Sequence, residues 1–120
     1  MEKSKKILFV DDEEILATLG RDLLEDFGYE VICAFNGEQA LQLFREAPCD
    51  VVVTDESMPG MSGIELAQEI MTLAPDVPVI LCSGHLLTMQ EEGMEQTNIK
   101  QVLAKTDVCI KLPDLIAQLC

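Results

Sequence analysis

The stretch Ile7-Leu8-Phe9-Val10-Asp11-Asp12-Glu13-Glu14 decides the architecture. Four apolar residues in a row, with no polar alternation, suit a strand covered on both faces, the usual state of a strand in a parallel sheet. The run then stops in four consecutive acids, so the carboxyl end of this strand is heavily charged. Working outward, short apolar runs rich in β-branched residues recur at Tyr29 to Phe35, Val51 to Thr54, Val77 to Cys82 and Ile99 to Ala104.

Helical patterns separate these runs. Ile15, Leu16, Leu19, Leu23, Leu24 and Phe27 follow helical spacing, and Gly28 is placed to end the helix. Asn36 with Gln39 opens a second helix running to about Ala47, and Ser62 with Glu65 opens a third that must stop before Pro75. A fourth, over about Leu86 to Gln96, is interrupted by Gly93; the last is short, near Pro113 to Leu119, with Pro113 in its first turn. Strand and helix thus alternate five times. That pattern predicts an α/β fold, a doubly wound five-stranded parallel sheet with right-handed crossovers, occupying residues 1–120 as a single domain.

Composition narrows the function. With 22 Asp+Glu against 8 Lys+Arg, the formal net charge is −14, which repels a phosphate backbone and argues against direct binding of nucleic acid. The hydrophobic share of 48% supports a real core and excludes a disordered chain. Cys33, Cys49, Cys82, Cys109 and Cys120 are odd in number and lack C-x-x-C spacing, so reduced thiols in a cytosol are expected rather than disulfides or structural zinc. The apolar stretch after Lys3, Lys5 and Lys6 is too short for a signal peptide, and no run approaches the roughly 18 residues of a membrane span. A soluble, cytoplasmic protein without membrane contact is expected.

In open α/β sheets the binding crevice lies outside the carboxyl ends of the strands. The first strand ends in Asp11-Asp12 and the third in Asp55, followed by Glu56. If the strand order is flavodoxin-like, 2-1-3-4-5, the first and third strands are neighbours and three carboxylates converge. Two like charges near 4 Å repel by roughly 4 kcal/mol at an effective dielectric of 20, so such a cluster calls for a cation. Oxygen ligands suit a hard one, and Mg²⁺ typically takes one or two carboxylates together with phosphate oxygens. Helix capping by Asp11 or Asp12, and a loop role for Asp55 before the turn at Met58-Pro59-Gly60, are the competing explanations. Ser83 and Lys105, each directly after an apolar run, add a hydroxyl and a point cation, groups that phosphoryl transfer uses to hold equatorial oxygens.

Taken together, Ile7-Leu8-Phe9-Val10-Asp11-Asp12-Glu13, Val52-Val53-Thr54-Asp55 with Met58-Pro59-Gly60-Met61-Ser62-Gly63, Leu81-Cys82-Ser83-Gly84 and Val102-Leu103-Ala104-Lys105 resemble the receiver domain of two-component response regulators and hybrid histidine kinases. The resemblance spans nearly the whole chain. It implies a flavodoxin-like (βα)5 fold, Asp55 as phospho-acceptor, and Mg²⁺ bound by Asp12, Asp55 and the Ser57 carbonyl, with Asp11 acting mainly through water. It further implies that Ser83 and Lys105 bind the phosphoryl group and that position 102 is the switch.

Two positions depart from the family pattern. Thr106 stands where proline usually follows the lysine, and Val102 stands where Tyr or Phe often acts as a rotamer switch. His85 without Cys or His partners reads as a loop residue, the methionines as gap fillers, and Glu91, Glu92 and Glu95 as a solvated face.

The function expected is a phosphorelay receiver that takes a phosphoryl group from a histidine kinase or phosphotransfer protein, with at most a weak homodimer. It would catalyse only its own phosphorylation and dephosphorylation. The alternative is a degenerate receiver-like scaffold that binds a partner independently of phosphorylation. A haloacid-dehalogenase-type phosphatase needs a second Asp two residues beyond the nucleophile, and that position is Ser57.

Overall fold

The computed structural model describes residues 5–83, 98–104 and 108–119, with side chains of 108–110 excepted. Five strands, β1 (Lys6–Val10), β2 (Glu30–Ala34), β3 (Val51–Asp55), β4 (Val79–Ser83) and β5 (Ile99–Ala104), form one parallel sheet in the order 2-1-3-4-5. Among the described residues the helices are α1 (Glu14–Asp26), α2 (Gly37–Glu46), α3 (Gly63–Leu73) and α4 (Val108–Leu119). The helix expected over 86–96 lies outside the described residues.

Alternate residues of the central strands feed two cores. Leu8, Val10, Val52, Val79 and Leu81 meet Leu41 and Phe44 of α2 and Leu66 and Ile70 of α3 on one face. Ile7, Phe9, Val51, Val53 and Ile80 meet Leu24 of α1 and Leu112 and Ile116 of α4 on the other. Every residue of β3 and β4 is buried, which is why their sequences lack polar alternation.

Local sequence sets the helix ends. Gly28 has φ +92°, its N–H donates to the Glu25 carbonyl at 3.0 Å, and the Tyr29 N–H donates to the Leu24 carbonyl at 3.3 Å, a Schellman ending for α1. Asn36 Oδ1 accepts from the Gln39 N–H at 2.7 Å to open α2, while the Gln39 side chain reaches back to the N–H of Phe35 at 2.8 Å. Ser62 and Glu65 exchange both bonds of a capping box at 3.1 Å.

Two helices differ from the sequence expectation. α4 starts at Val108 and carries Pro113 inside it, buried, rather than in the first turn of a short helix. The proline ring leaves one intrahelical bond unmade there, and burial of Leu112 and Ile116 on either side of it offsets the loss. α1 occupies the expected span, yet its most apolar flank faces outward: Ile15 is 77% exposed, Leu19 57% and Phe27 60%. The helix rests on Leu24, a member of the expected stripe, together with Ala17 and Gly20, whose small size lets its backbone approach the sheet. A Cβ at Gly20 would lie 2.4 Å from Phe9 Cζ.

Candidate functional site

The acids at the strand ends do converge. Val10 pairs in register with Thr54, so Asp11, the next residue, stands level with Asp55 at the end of β3. Ligand oxygens of Asp11, Asp12 and Asp55 all lie within 4.8 Å of one another. Asp55 is 3% exposed and Asp11 6%, while Asp12 is exposed at the rim. The cluster therefore has a buried floor and an open mouth.

The backbone around it explains this placement. The Asp11 N–H donates to the Ala34 carbonyl at 3.1 Å, tying the strand end to β2. Asp11 Oδ1 accepts from the Glu13 N–H at 3.0 Å, so one of its oxygens helps satisfy the start of α1, as the capping explanation requires. Glu13 is the N-cap of α1 and makes no side-chain cap bond. Capping accounts for neither Asp12 nor Asp55 in the cluster. On β3, Thr54 Oγ1 donates to the Asp55 carbonyl at 3.0 Å, and Asp55 Oδ1 accepts from the Ser57 N–H at 3.4 Å. The Glu56 N–H donates to the Cys82 carbonyl at 2.8 Å and the Gly63 N–H to the Glu56 carbonyl at 2.9 Å, which folds the loop after Asp55 back over the strand ends.

Gly63 is a positioning residue that the motif contained but whose reason only packing reveals. A Cβ there would lie 2.3 Å from the Asp55 carbonyl oxygen and 2.7 Å from Leu81 Cδ1. The start of α3 thus presses directly on the backbone that carries Asp55. Spacing alone gives no signal of this, because nothing in the sequence marks which backbone the glycine meets.

Ser83 is the last residue of β4, one position beyond Cys82, the register partner of Asp55, and it is 1% exposed. Its own partner is Ala104, the last residue of β5. Lys105 follows directly in sequence but lies outside the described residues, as does Thr106. Lys111, whose Lys-Leu-Pro context superficially imitates a lysine-proline pair, is on α4 in a depression shared with Gln101, Val102, Leu103, Asp114 and Leu115, a lining that includes none of the clustered acids. Val102, the switch position, is half-buried on β5 and packs against the core on the α2 and α3 side.

The donor set is chemically uniform. Among the described residues the clustered groups are three carboxylates, hard oxygen ligands that fit Mg²⁺. Among the described residues, Cys33, Cys49 and Cys82 form no disulfide; burial pushes the Cys33 and Cys49 thiols above the ordinary thiol range. No helix among the described residues is long and apolar enough to cross a membrane.

Known proteins similar in sequence and in shape agree on the family. The chain is 31% identical over 121 residues to the sensory/regulatory protein RpfC of Xanthomonas campestris, covering 98% of this chain but 17% of RpfC. It is 38% identical over 81 residues to the chemotaxis protein CheY of Thermotoga maritima, covering 67% of this chain and 68% of that one. Among solved structures, the response regulator TrrA of Thermotoga maritima, in complex with Mg²⁺-BeF, superposes with a TM-score of 0.88 at 32% identity, over 97% of this chain and 99% of that one. The CheY4 chemotaxis protein of Vibrio cholerae gives a TM-score of 0.91 at 23% identity, over 98% of this chain and 100% of that one, and so supports the fold. Residues 7–118 match the family model of the response regulator receiver domain, and the chain belongs to that family.

Proposed function

We propose that the chain accepts a phosphoryl group on Asp55 from a phosphohistidine of a histidine kinase or phosphotransfer protein, in the cytoplasm. The observation that carries this reading is the convergence of Asp11, Asp12 and Asp55 with a buried Asp55 at its floor. Asp12, Asp55, the Ser57 carbonyl and, through water, Asp11 would hold Mg²⁺, which would supply charge neutralisation for the incoming phosphoryl oxygens.

The chain's own part is nucleophilic attack and positioning. Asp55 Oδ forms a bond to phosphorus as the donor's P–N bond breaks, and that electron pair returns to the donor imidazole. The Ser57 N–H donates to Asp55 Oδ1 at 3.4 Å and helps to hold the carboxylate in place. Ser83 donates to an equatorial oxygen of the arriving group, and Lys105 pairs with another. The domain releases phosphate by hydrolysis of the same acyl bond, so it modifies itself and turns over no free substrate.

Incubation with a phosphoramidate and Mg²⁺, followed by hydroxylamine, tests the chemistry. An acyl phosphate on Asp55 yields a hydroxamate at that residue. A hydroxylamine-stable phosphoryl group, or none, contradicts the reading.

A further inference from the structure

Gly37, the first residue of α2, is buried, and its φ is not one that calls for glycine. What calls for glycine is Met61. A Cβ at position 37 would lie 2.7 Å from Met61 Sδ and 2.8 Å from Met61 Cβ. Because the near approach includes Met61 Cβ, the base of the side chain and not only its flexible end is seated on the α2 backbone. Met61 is half-buried and packs against the core on the α2 and α3 side. It belongs to the loop between β3 and α3, where Gly60 turns the chain at φ +83° and the Met61 N–H donates to the Pro59 carbonyl at 3.1 Å.

The contact joins two loops across an open groove that Asp12, Phe35, Glu38 and Pro59 line together with Gly37 and Met61. The loop after β3 starts at the phosphoryl site: the Ser57 N–H donates to Asp55 Oδ1 at 3.4 Å. Ser57, Pro59 and Gly60 are exposed, so the side chains that fasten this loop to the body are Met58, which is buried, and Met61. We infer that Met61, seated on Gly37, is a positioning residue for the phosphoryl site: it fixes the loop that carries Ser57, and through the Ser57 N–H and carbonyl it sets the place of the Asp55 carboxylate and of the metal. An unbranched thioether is suited to lie along a backbone in this way. A methionine that only filled a gap would add to global stability and leave the loop alone. The consequence for Mg²⁺ rests on the phospho-acceptor reading, whereas the holding of the loop is a property of the metal-free chain.

Amide hydrogen exchange of the metal-free full chain, followed by Mg²⁺ titration read from amide NMR shifts, tests it. Met61→Ala should speed exchange about tenfold at Ser57 and at Gly63, whose N–H closes the loop on the Glu56 carbonyl, and leave Val52 and Val53 in β3 at parental rates. Its Mg²⁺ affinity should fall by about tenfold, the low end of the cost of losing a group that orients metal ligands. Met61→Leu, similar in size, should keep both values near the parent's. Gly37→Ala should reproduce the loss from the other side of the contact, since alanine favours the helix and its cost falls on Met61; this variant decides if Met61→Ala does not fold. Met71→Ala removes a methionine that is 36% exposed on α3 and should change neither reading. Parental exchange at Ser57 and Gly63 in both Met61→Ala and Gly37→Ala, faster exchange with parental Mg²⁺ affinity, or an equal loss in Met71→Ala would overturn the inference. If the parent takes no phosphoryl group from a phosphoramidate, the phospho-acceptor reading fails on its own, and the metal-free exchange still decides whether Met61 holds the loop.

Discussion

Gly63 lies so close to the Asp55 carbonyl oxygen that a Cβ would stand 2.3 Å from it. The N-terminus of α3 and the end of β3 are therefore locked together at the residue proposed to carry the chemistry. Gly63→Ala should displace one of the two backbones. We expect a loss of about 1–3 kcal/mol in stability by denaturant titration, with weaker Mg²⁺ binding. Unchanged stability together with unchanged Mg²⁺ affinity would show that the contact relaxes without moving Asp55.

Asp12 sits at the exposed rim of the cluster, where it adds repulsion without a buried role. Asp12→Ala should lower Mg²⁺ affinity by roughly tenfold or more, since one carboxylate ligand is gone. In metal-free buffer the same variant should be as stable as the parent or more so, by up to about 1 kcal/mol given the solvent screening at the rim. A less stable metal-free variant would assign Asp12 to the start of α1 instead.

How far the sequence carried is visible residue by residue. The unbroken apolar runs of β3 and β4 read directly as strands buried on both faces, and Ser62 with Glu65 announced the start of α3. The acids were legible because three of them fall at the ends of runs that the doubly wound order brings together. What periodicity did not convey is the angle at which a helix meets its sheet. In α1 Leu24 of the expected apolar stripe is buried, but Gly20 and Ala17 rather than Ile15, Leu19 or Phe27 share that face with it, because close backbone approach beats side-chain size. Pro113 misled for a similar reason, since local rules place it in a first turn and burial along α4 overrides them.

Val102 bears on signalling. A β-branched side chain is stiff at χ1 and too short to swing between a buried slot and the surface, as an aromatic would. Beryllofluoride with Mg²⁺ should therefore shift amide NMR signals strongly near Asp11, Asp55 and Ser83, and only modestly along β5 and α4. Large shifts spread over Val102 and Leu112 to Leu119 would mean that the domain switches by a route needing no aromatic.

Burial holds the Cys33 and Cys49 thiols above the usual value of 9.0, with the acids near each acting in the same direction. The folded chain thus keeps protons that the unfolded chain releases above pH 9. This stabilisation is complete below pH 9 and is lost as pH rises through the folded values. Thermal midpoints should accordingly fall on the alkaline side, with a shallower fall in Cys49→Ala. An equal fall in parent and variant would place the alkaline sensitivity elsewhere.

The central claim is that Asp55 takes the phosphoryl group in a site assembled by Asp11, Asp12 and Mg²⁺. Intact mass after incubation with a small acyl phosphate tests it most directly, run with and without Mg²⁺ on the parent chain and on Asp55→Asn. The account predicts a gain of one phosphoryl group in the parent with Mg²⁺, and none without the metal or in the variant. Undiminished labelling of Asp55→Asn would contradict it.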